Sequence, residues 1–149
     1  MMIELQISQL IAIIANSFFG SVSIYINFVE HPARMECGTE IAATLFPPSY
    51  KRAAVIQFSL AIISFVSSLL AWHDSSNIRW LTGGLIIFSV IPFTFIAIVP
   101  TNKKLLDPNL EKTSSVTRVL LLNWGKLHAV RSILSIISLL VFCSLVVSY

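Results

Sequence analysis

The sequence predicts an all-α protein, a bundle of four helices that span a membrane, and three observations support this. Of the 149 residues 56% are hydrophobic and only 11% are charged, whereas about a quarter of a soluble domain is charged. Four stretches are apolar for about 20 residues, the length a helix needs to cross the hydrocarbon core of a bilayer. The basic residues are concentrated in two of the three connections. The chain is therefore expected to be a multi-pass integral membrane protein.

We predict one domain over residues 1–149, in which the first three spans carry no charged residue and the fourth carries none after Arg131. Pro92 lies inside the third span, where its missing N–H predicts a kink, and Pro100 is expected to end that helix. The predicted spans cover about residues 5–29, 53–72, 80–99 and 129–148.

The lengths of the connections predict the topology. Residues 73–79 form a short link, so the second and third spans are antiparallel neighbours. The long connections, residues 30–52 and 100–131, must then lie on one side of the membrane and both termini on the other. The positive-inside rule places the long connections on the cytoplasmic side, or its equivalent in an organelle, because they hold nine of the ten basic residues: Arg34, Lys51, Arg52, Lys103, Lys104, Lys112, Arg118, Lys126 and Arg131.

This distribution explains the net charge of +3 without a nucleic-acid partner, and we expect none. The sequence leaves open which membrane holds the protein. Cys37 and Cys143 lie in different settings without a CxxC motif, so both are expected to be free thiols.

Helical periodicity predicts one inward, polar face on each span. Small and hydroxyl residues on such faces let helices approach closely in lipid. The faces comprise Asn16, Gly20, Ser23, Asn27, Glu30 and Arg34 on the first span; Tyr50, Ala54, Gln57, Ala61, Ser64 and Ser68 on the second; Gly83, Thr94 and Thr101, a weaker pattern, on the third; and Trp124, His128, Arg131, Ser135 and Ser138 on the fourth.

The second and fourth spans also resemble each other. The segments AVIQFSLAIIS and AVRSILSIIS align so that Tyr50 matches Trp124 and Gln57 matches Arg131. The match indicates a weak internal repeat, as a duplicated helical hairpin would produce.

The larger polar side chains cluster at the membrane face that bears the long connections. His31 and His128 are candidates for acid–base groups, because histidine titrates near neutral pH. They are also candidate metal ligands with Glu30, but no helix carries two ligands at a metal-binding spacing, and we predict no metal site. Arg131 is expected to need a partner such as Glu30, since an unpaired charge in lipid is costly. Trp124 is equally suited to anchoring at the interface.

Several motifs resemble the anthrone oxygenase-like membrane proteins, and the resemblance covers nearly the whole chain. "HP" follows the first span, "FPPSYKRAAVIQ" leads into the second, "PFTFIAIVPTNKKL" closes the third and "NWGKLHAVRS" opens the fourth. The most specific patterns are P-x-T…P-x-N-x-x-L and W-x-x-x-H-x-x-R, which here comprise Pro92, Thr94, Pro100, Asn102 and Leu105, and Trp124, His128 and Arg131.

The resemblance implies oxidation of an anthrone to an anthraquinone with molecular oxygen and without a conventional cofactor. The residues themselves leave the cofactor unknown. On this interpretation His128 or His31 is the base, and Arg131 with Asn102 stabilises the enolate. The hydrophobic aromatic substrate would be bound by Trp124, Tyr50, Gln57, Thr94 and Glu30.

An alternative interpretation is a non-catalytic accessory subunit of a larger membrane complex, for example a respiratory one. Arg131, Lys126 and Arg52 would then contact a lipid headgroup or a partner chain. A transporter is a third interpretation, but four short spans would have to dimerise to form a pathway. The expected partners are therefore the lipid bilayer and either a small hydrophobic aromatic molecule or lipid, or a larger complex or homo-oligomer. Whether the protein is an enzyme stays open at this level.

Overall fold

A computed structural model describes residues 6–147, which form four long helices and, within that range, no strand. Each helix is long and apolar enough to cross a membrane. The all-α, four-span membrane fold predicted from the sequence is confirmed. The helices are α1 (Ile7–Glu36), α2 (Thr39–Ser75), α3 (Ile78–Leu105) and α4 (Ser115–Val147).

The helices extend beyond the predicted spans, mainly at the end that bears the long connections. Residues 30–52 are helical except at Cys37 and Gly38, so this connection consists largely of helix. Gly38 adopts φ +96°, a conformation that glycine reaches without a steric penalty, and the chain reverses there. The connection between α3 and α4 is irregular only over residues 106–114. The last residue of the predicted fourth span, 148, lies outside the described range.

Two of the helices widen locally into a π-helical turn. These turns cover Ile26–Glu30 in α1 and Thr94–Ile98 in α3. Pro32 and Pro100 follow them, in the first turn of the α-helix that resumes. Proline lacks an N–H, and its ring clashes with the carbonyl four residues earlier; a wider turn accommodates both effects in a membrane helix. The prediction that Pro100 ends the third helix is therefore wrong, since α3 continues to Leu105.

Each helix packs against the next in the chain, and α4 closes the bundle against α1. Three hydrophobic clusters lie along its axis. Phe46 and Trp124 belong to the cluster at the end of the long connections, Phe19 to the middle one, and Trp80 and Phe142 to the cluster at the short α2–α3 link. We call the end of the bundle at the long connections the polar end and the end at the short α2–α3 link the packed end. Large apolar side chains cover the outer faces, which contact the bilayer.

The predicted inward face is confirmed for α4 and for most of α2, whereas Asn27, Glu30, Thr94 and Thr101 of the other two predicted faces are only partly buried. All five residues of the α4 face are buried, as are Gln57, Ala61, Ser64 and Ser68 on α2. Hydrogen bonds between helices run through these faces: the Asn16 amide donates to Ser138 Oγ at 2.9 Å, and Ser138 Oγ donates to the Gly83 carbonyl at 2.8 Å. Asn16 and Ser138 thus find hydrogen-bond partners on neighbouring helices, as buried polar groups in lipid require.

Candidate functional site

The Trp124 indole lies at the centre of the polar end. The Phe46 ring meets it edge-on at 5.1 Å. The centroid of the Trp124 ring is 5.2 Å from that of the His31 ring and 4.9 Å from that of the His128 ring. The Arg34 guanidinium lies 5.9 Å from the ring centroid, within the range of a cation–π contact. Side chains of α1, α2 and α4 therefore meet around one buried aromatic ring.

The ring of His128 is oriented by Asn27. His128 Nδ1 lies 2.8 Å from Asn27 Oδ1, which also accepts a hydrogen bond from Ser132 Oγ at 2.7 Å. The Asn27 amide donates to the Gly125 carbonyl at 3.0 Å, which fixes its orientation. An amide oxygen only accepts hydrogen bonds, so the proton of the neutral imidazole is on Nδ1 and the lone pair is on Nε2.

Arg131 is buried at 8% exposure on the same face of α4. Its Nη2 donates to Gln57 Oε1 at 2.9 Å, and the Gln57 amide donates to Ser23 Oγ at 2.9 Å. The guanidinium also lies 5.4 Å from the centroid of the Phe19 ring. Its Nε has no hydrogen-bond partner, and no carboxylate of residues 6–147 forms an ion pair with it. Arg131 is thus held in place by neutral groups.

The expected pairing of Arg131 with Glu30 is wrong. Glu30 Oε1 lies 3.8 Å from Arg34 Nη1, one turn along the same helix, and accepts a hydrogen bond from Ser49. Its carboxylate is therefore directed toward the α1–α2 side of the bundle, whereas Arg131 is held by Gln57 in the interior.

A cavity of about 360 Å³ opens between α2 and α3; we call it the lateral cavity. Val55, Phe58 and Phe95 lie at its rim and are at least half exposed, while Gln57 and Arg131 are buried at its inner end. The lining is mostly apolar. Its volume is within the range of small-molecule sites, roughly 300–1,000 Å³, and such sites are apolar with a few placed polar groups.

A small cavity of about 20 Å³ adjoins the lateral cavity toward the polar end. Tyr50, Ala54 and Gln57 line both cavities, and His128 and Trp124 line the small one. The small cavity has room for about one water molecule. A wall of three side chains therefore separates His128 from the lateral cavity.

The sequence-predicted residues divide among several places. Tyr50, Gln57, Thr94 and Arg131 line the lateral cavity, and His128 and Trp124 line the small cavity beside it. The others lie away from these two cavities. His31 faces a groove between α1 and α4, and Glu30 faces one between α1 and α2. Asn102 is buried at 2% exposure, and among the described residues neither of its amide atoms has a hydrogen-bond partner.

Sequence reasoning did not include Asn27, Arg34, Phe19 and Phe46 among the candidate site residues. Asn27 and Arg34 were on the predicted inward face of the first span, and their spacing on that polar face could have identified them as candidate site residues. The sequence did not show which helix each of them faces. The π-helical turn between them changes the rotation of the helix, and hydropathy does not reveal it.

The described part of the chain contains no group of three or more His, Cys, Asp or Glu placed to hold a metal ion. Cys37 and Cys143 are free thiols, as expected, and both are exposed.

Comparison with known proteins shows the family of the chain. Residues 46–141 match the family model described as anthrone oxygenase. Anthrone oxygenase tpcL of Aspergillus fumigatus is 27% identical to the chain over 138 residues, which cover 85% of each protein. No solved structure matches the chain. The matched region includes every residue named above on α2 from Phe46 onward and on α3 and α4 up to Ser138. The chain belongs to the anthrone oxygenase family.

Proposed function

We propose that the protein oxidises a flat, hydrophobic aromatic molecule of the anthrone type to a quinone with molecular oxygen, and that the substrate binds in the lateral cavity. The observation that carries this proposal is Arg131, a buried guanidinium that forms no ion pair with a carboxylate of residues 6–147 and lies at the inner end of an apolar cavity. A buried unpaired charge is costly, and more so within a membrane. An anion formed from the substrate would offset that cost.

The first step is removal of a proton from the carbon that is to be oxidised. His128 is the base: its Nδ1 proton is donated to Asn27, so Nε2 is free of a proton. Because Tyr50, Ala54 and Gln57 separate the ring from the lateral cavity, the substrate proton reaches Nε2 through one water molecule in the small cavity. The electron pair of the C–H bond moves onto the substrate's carbonyl oxygen. Arg131 stabilises the resulting enolate, and Gln57 holds the guanidinium in position.

The electron-rich carbanion then reacts with molecular oxygen. One O2 is consumed for each CH2 group that becomes a carbonyl, and the second oxygen atom leaves as water. Four electrons pass from the substrate to O2, so the overall reaction needs no other oxidant.

The substrate reaches the site from the bilayer. The lateral cavity opens between α2 and α3, and exposed apolar side chains such as Val55 and Phe95 line its rim. The Tyr50 ring stacks on Phe46 with 5.6 Å between centroids and an interplanar angle of 5°. It gives the cavity a flat aromatic wall, which suits a planar substrate.

The test is turnover of an anthrone by membranes that contain the protein, measured as quinone absorbance and oxygen uptake. Arg131→Gln is expected to lower kcat by about 10²–10³-fold, the usual cost of losing an electrostatic group that stabilises a developing anion. Lys126→Gln is the matched control, because Lys126 is an exposed cation on the same helix. Turnover by Arg131→Gln at the wild-type rate would refute the proposal.

A further inference from the structure

A second opening lies between α1 and α2, a groove of about 690 Å³ that we call the Arg34 groove. Arg34 and Glu30 line it toward the polar end, and Arg52 lies beside them on α2. Deeper in the membrane its lining is apolar and includes Val22 and Ile56. The groove thus combines a charged end near the membrane surface with an apolar floor along the acyl-chain region.

The charges of this groove are unbalanced. Arg34 is only 7% exposed, and its buried Nε has no hydrogen-bond partner in the described part of the chain. Its contact with Glu30, at 3.8 Å, is a long ion pair. Arg52 is exposed and forms no ion pair within residues 6–147. Two guanidinium groups therefore face one carboxylate, and the remaining donors suit an oxyanion with several acceptor oxygens, such as a phosphate.

We propose that the Arg34 groove binds an anionic phospholipid, with the phosphate between Arg34 and Arg52 and an acyl chain along Val22 and Ile56. The polar end of the bundle carries nearly all the basic residues of the chain, and such clusters attract anionic lipids. The apolar floor of the groove suits the acyl chain of the lipid, since exposed apolar side chains such as Ile56 face the bilayer. This proposal is independent of the reaction proposed above.

The experiment uses the whole protein in mild detergent, mixed with equal amounts of phosphatidylglycerol and phosphatidylcholine. Native mass spectrometry then counts the lipids retained by the folded protein. The wild type is expected to retain phosphatidylglycerol preferentially. Arg52→Gln is expected to reduce that preference about fivefold, because one basic residue contributes about that factor to the binding of an anionic lipid. Arg34→Gln is expected to reduce it further.

Lys51→Gln is the matched control: Lys51 is the neighbouring exposed cation and does not line the groove. If Lys51→Gln and Arg52→Gln reduce the preference equally, the lipid responds to diffuse surface charge and the proposal is overturned. Equal retention of the two lipids by the wild type overturns it as well. Displacement of phosphatidylglycerol by an equimolar amount of inorganic phosphate would also overturn it, since the apolar floor would then contribute nothing. Arg52→Gln alters an exposed side chain, so its result stands even if Arg34→Gln fails to fold.

Discussion

The two helical hairpins, α1–α2 and α3–α4, share an architecture but differ in polar chemistry. In each hairpin the first helix contains a π-helical turn, Ile26–Glu30 or Thr94–Ile98, and a proline follows it, Pro32 or Pro100. Each second helix is a single long helix. The structure therefore supports the internal repeat that the sequence suggested.

Corresponding residues of the two hairpins meet inside the bundle. Gln57 and Arg131, 74 positions apart, are hydrogen-bonded to each other. In the same alignment Ala54 of α2 corresponds to His128 of α4. The second hairpin thus supplies His128 and Arg131, the proposed base and cation, while the first supplies Asn27 and Gln57, which are hydrogen-bonded to them. Repetition explains the fold, and the differences between equivalent positions explain the candidate chemistry.

The largest expected effect comes from making the second hairpin resemble the first at position 128. His128→Ala introduces the residue found at the equivalent position 54 and should lower kcat by about 10²–10⁴-fold, the usual contribution of a general base. The measurement is quinone formation per folded protein. Asn123→Ala, an exposed position on the same helix, is the control. Undiminished turnover by His128→Ala would transfer the role of base to another residue, with His31 the first to test.

Loss of the orienting contact from the first hairpin should have the next largest effect. Asn27→Leu removes the acceptor for His128 Nδ1, which leaves the ring free to rotate. A misplaced catalytic group can cost about 10²-fold. We expect kcat to fall by that order while KM stays unchanged, because Asn27 does not line the lateral cavity. A rise in KM at constant kcat would contradict a positioning role.

A smaller effect on turnover is expected when the first hairpin is given a carboxylate beside Arg131 of the second. Gln57→Glu gives Arg131 the carboxylate that it lacks, so its charge is no longer available to a substrate anion. Turnover should fall about tenfold or more, up to the roughly 10²–10³-fold loss of kcat that follows removal of a group that stabilises a developing anion. The thermal midpoint should stay at or above that of the wild type, since the buried cation becomes paired. Unchanged turnover with a paired Arg131 would contradict its proposed role.

The smallest effect on turnover is expected at the packed end. Gly83→Ala introduces the residue found at position 15 of α1, which corresponds to position 83 when the π-helical turns Ile26–Glu30 and Thr94–Ile98 are aligned. The added Cβ would lie 2.4 Å from the Phe142 ring, and overpacking of this kind costs about 1–3 kcal/mol of unfolding free energy. Denaturation in detergent should detect the loss of stability, while turnover of the folded fraction stays the same. A large loss of turnover in that fraction would show that the packed end is coupled to the site.

The sequence predicted those features that hydropathy and periodicity determine. The absence of charge revealed four spans, and steps of three and four residues identified the buried face of α4, including His128 and Arg131. The partner of Arg131 was mispredicted, because charge pairing suggested Glu30 while the rotation of α2 brings in Gln57. The sequence did not show that a cavity would open between α2 and α3, since this depends on the separation of the two helices rather than on any one segment.

The π-helical turns bear on how chain length is tolerated in this fold. Each turn contains one residue more than an α-helix would need to cover the same rise. Deleting one residue from Ile26–Glu30 would therefore restore a regular α-helix and leave His31 and Arg34 facing the interior. Deleting one residue from the regular part of α1 just before this turn would instead rotate everything beyond it by about 100° relative to the bundle. The π-helical turn is thus a place where the chain can lose one residue without changing the orientation of the polar end.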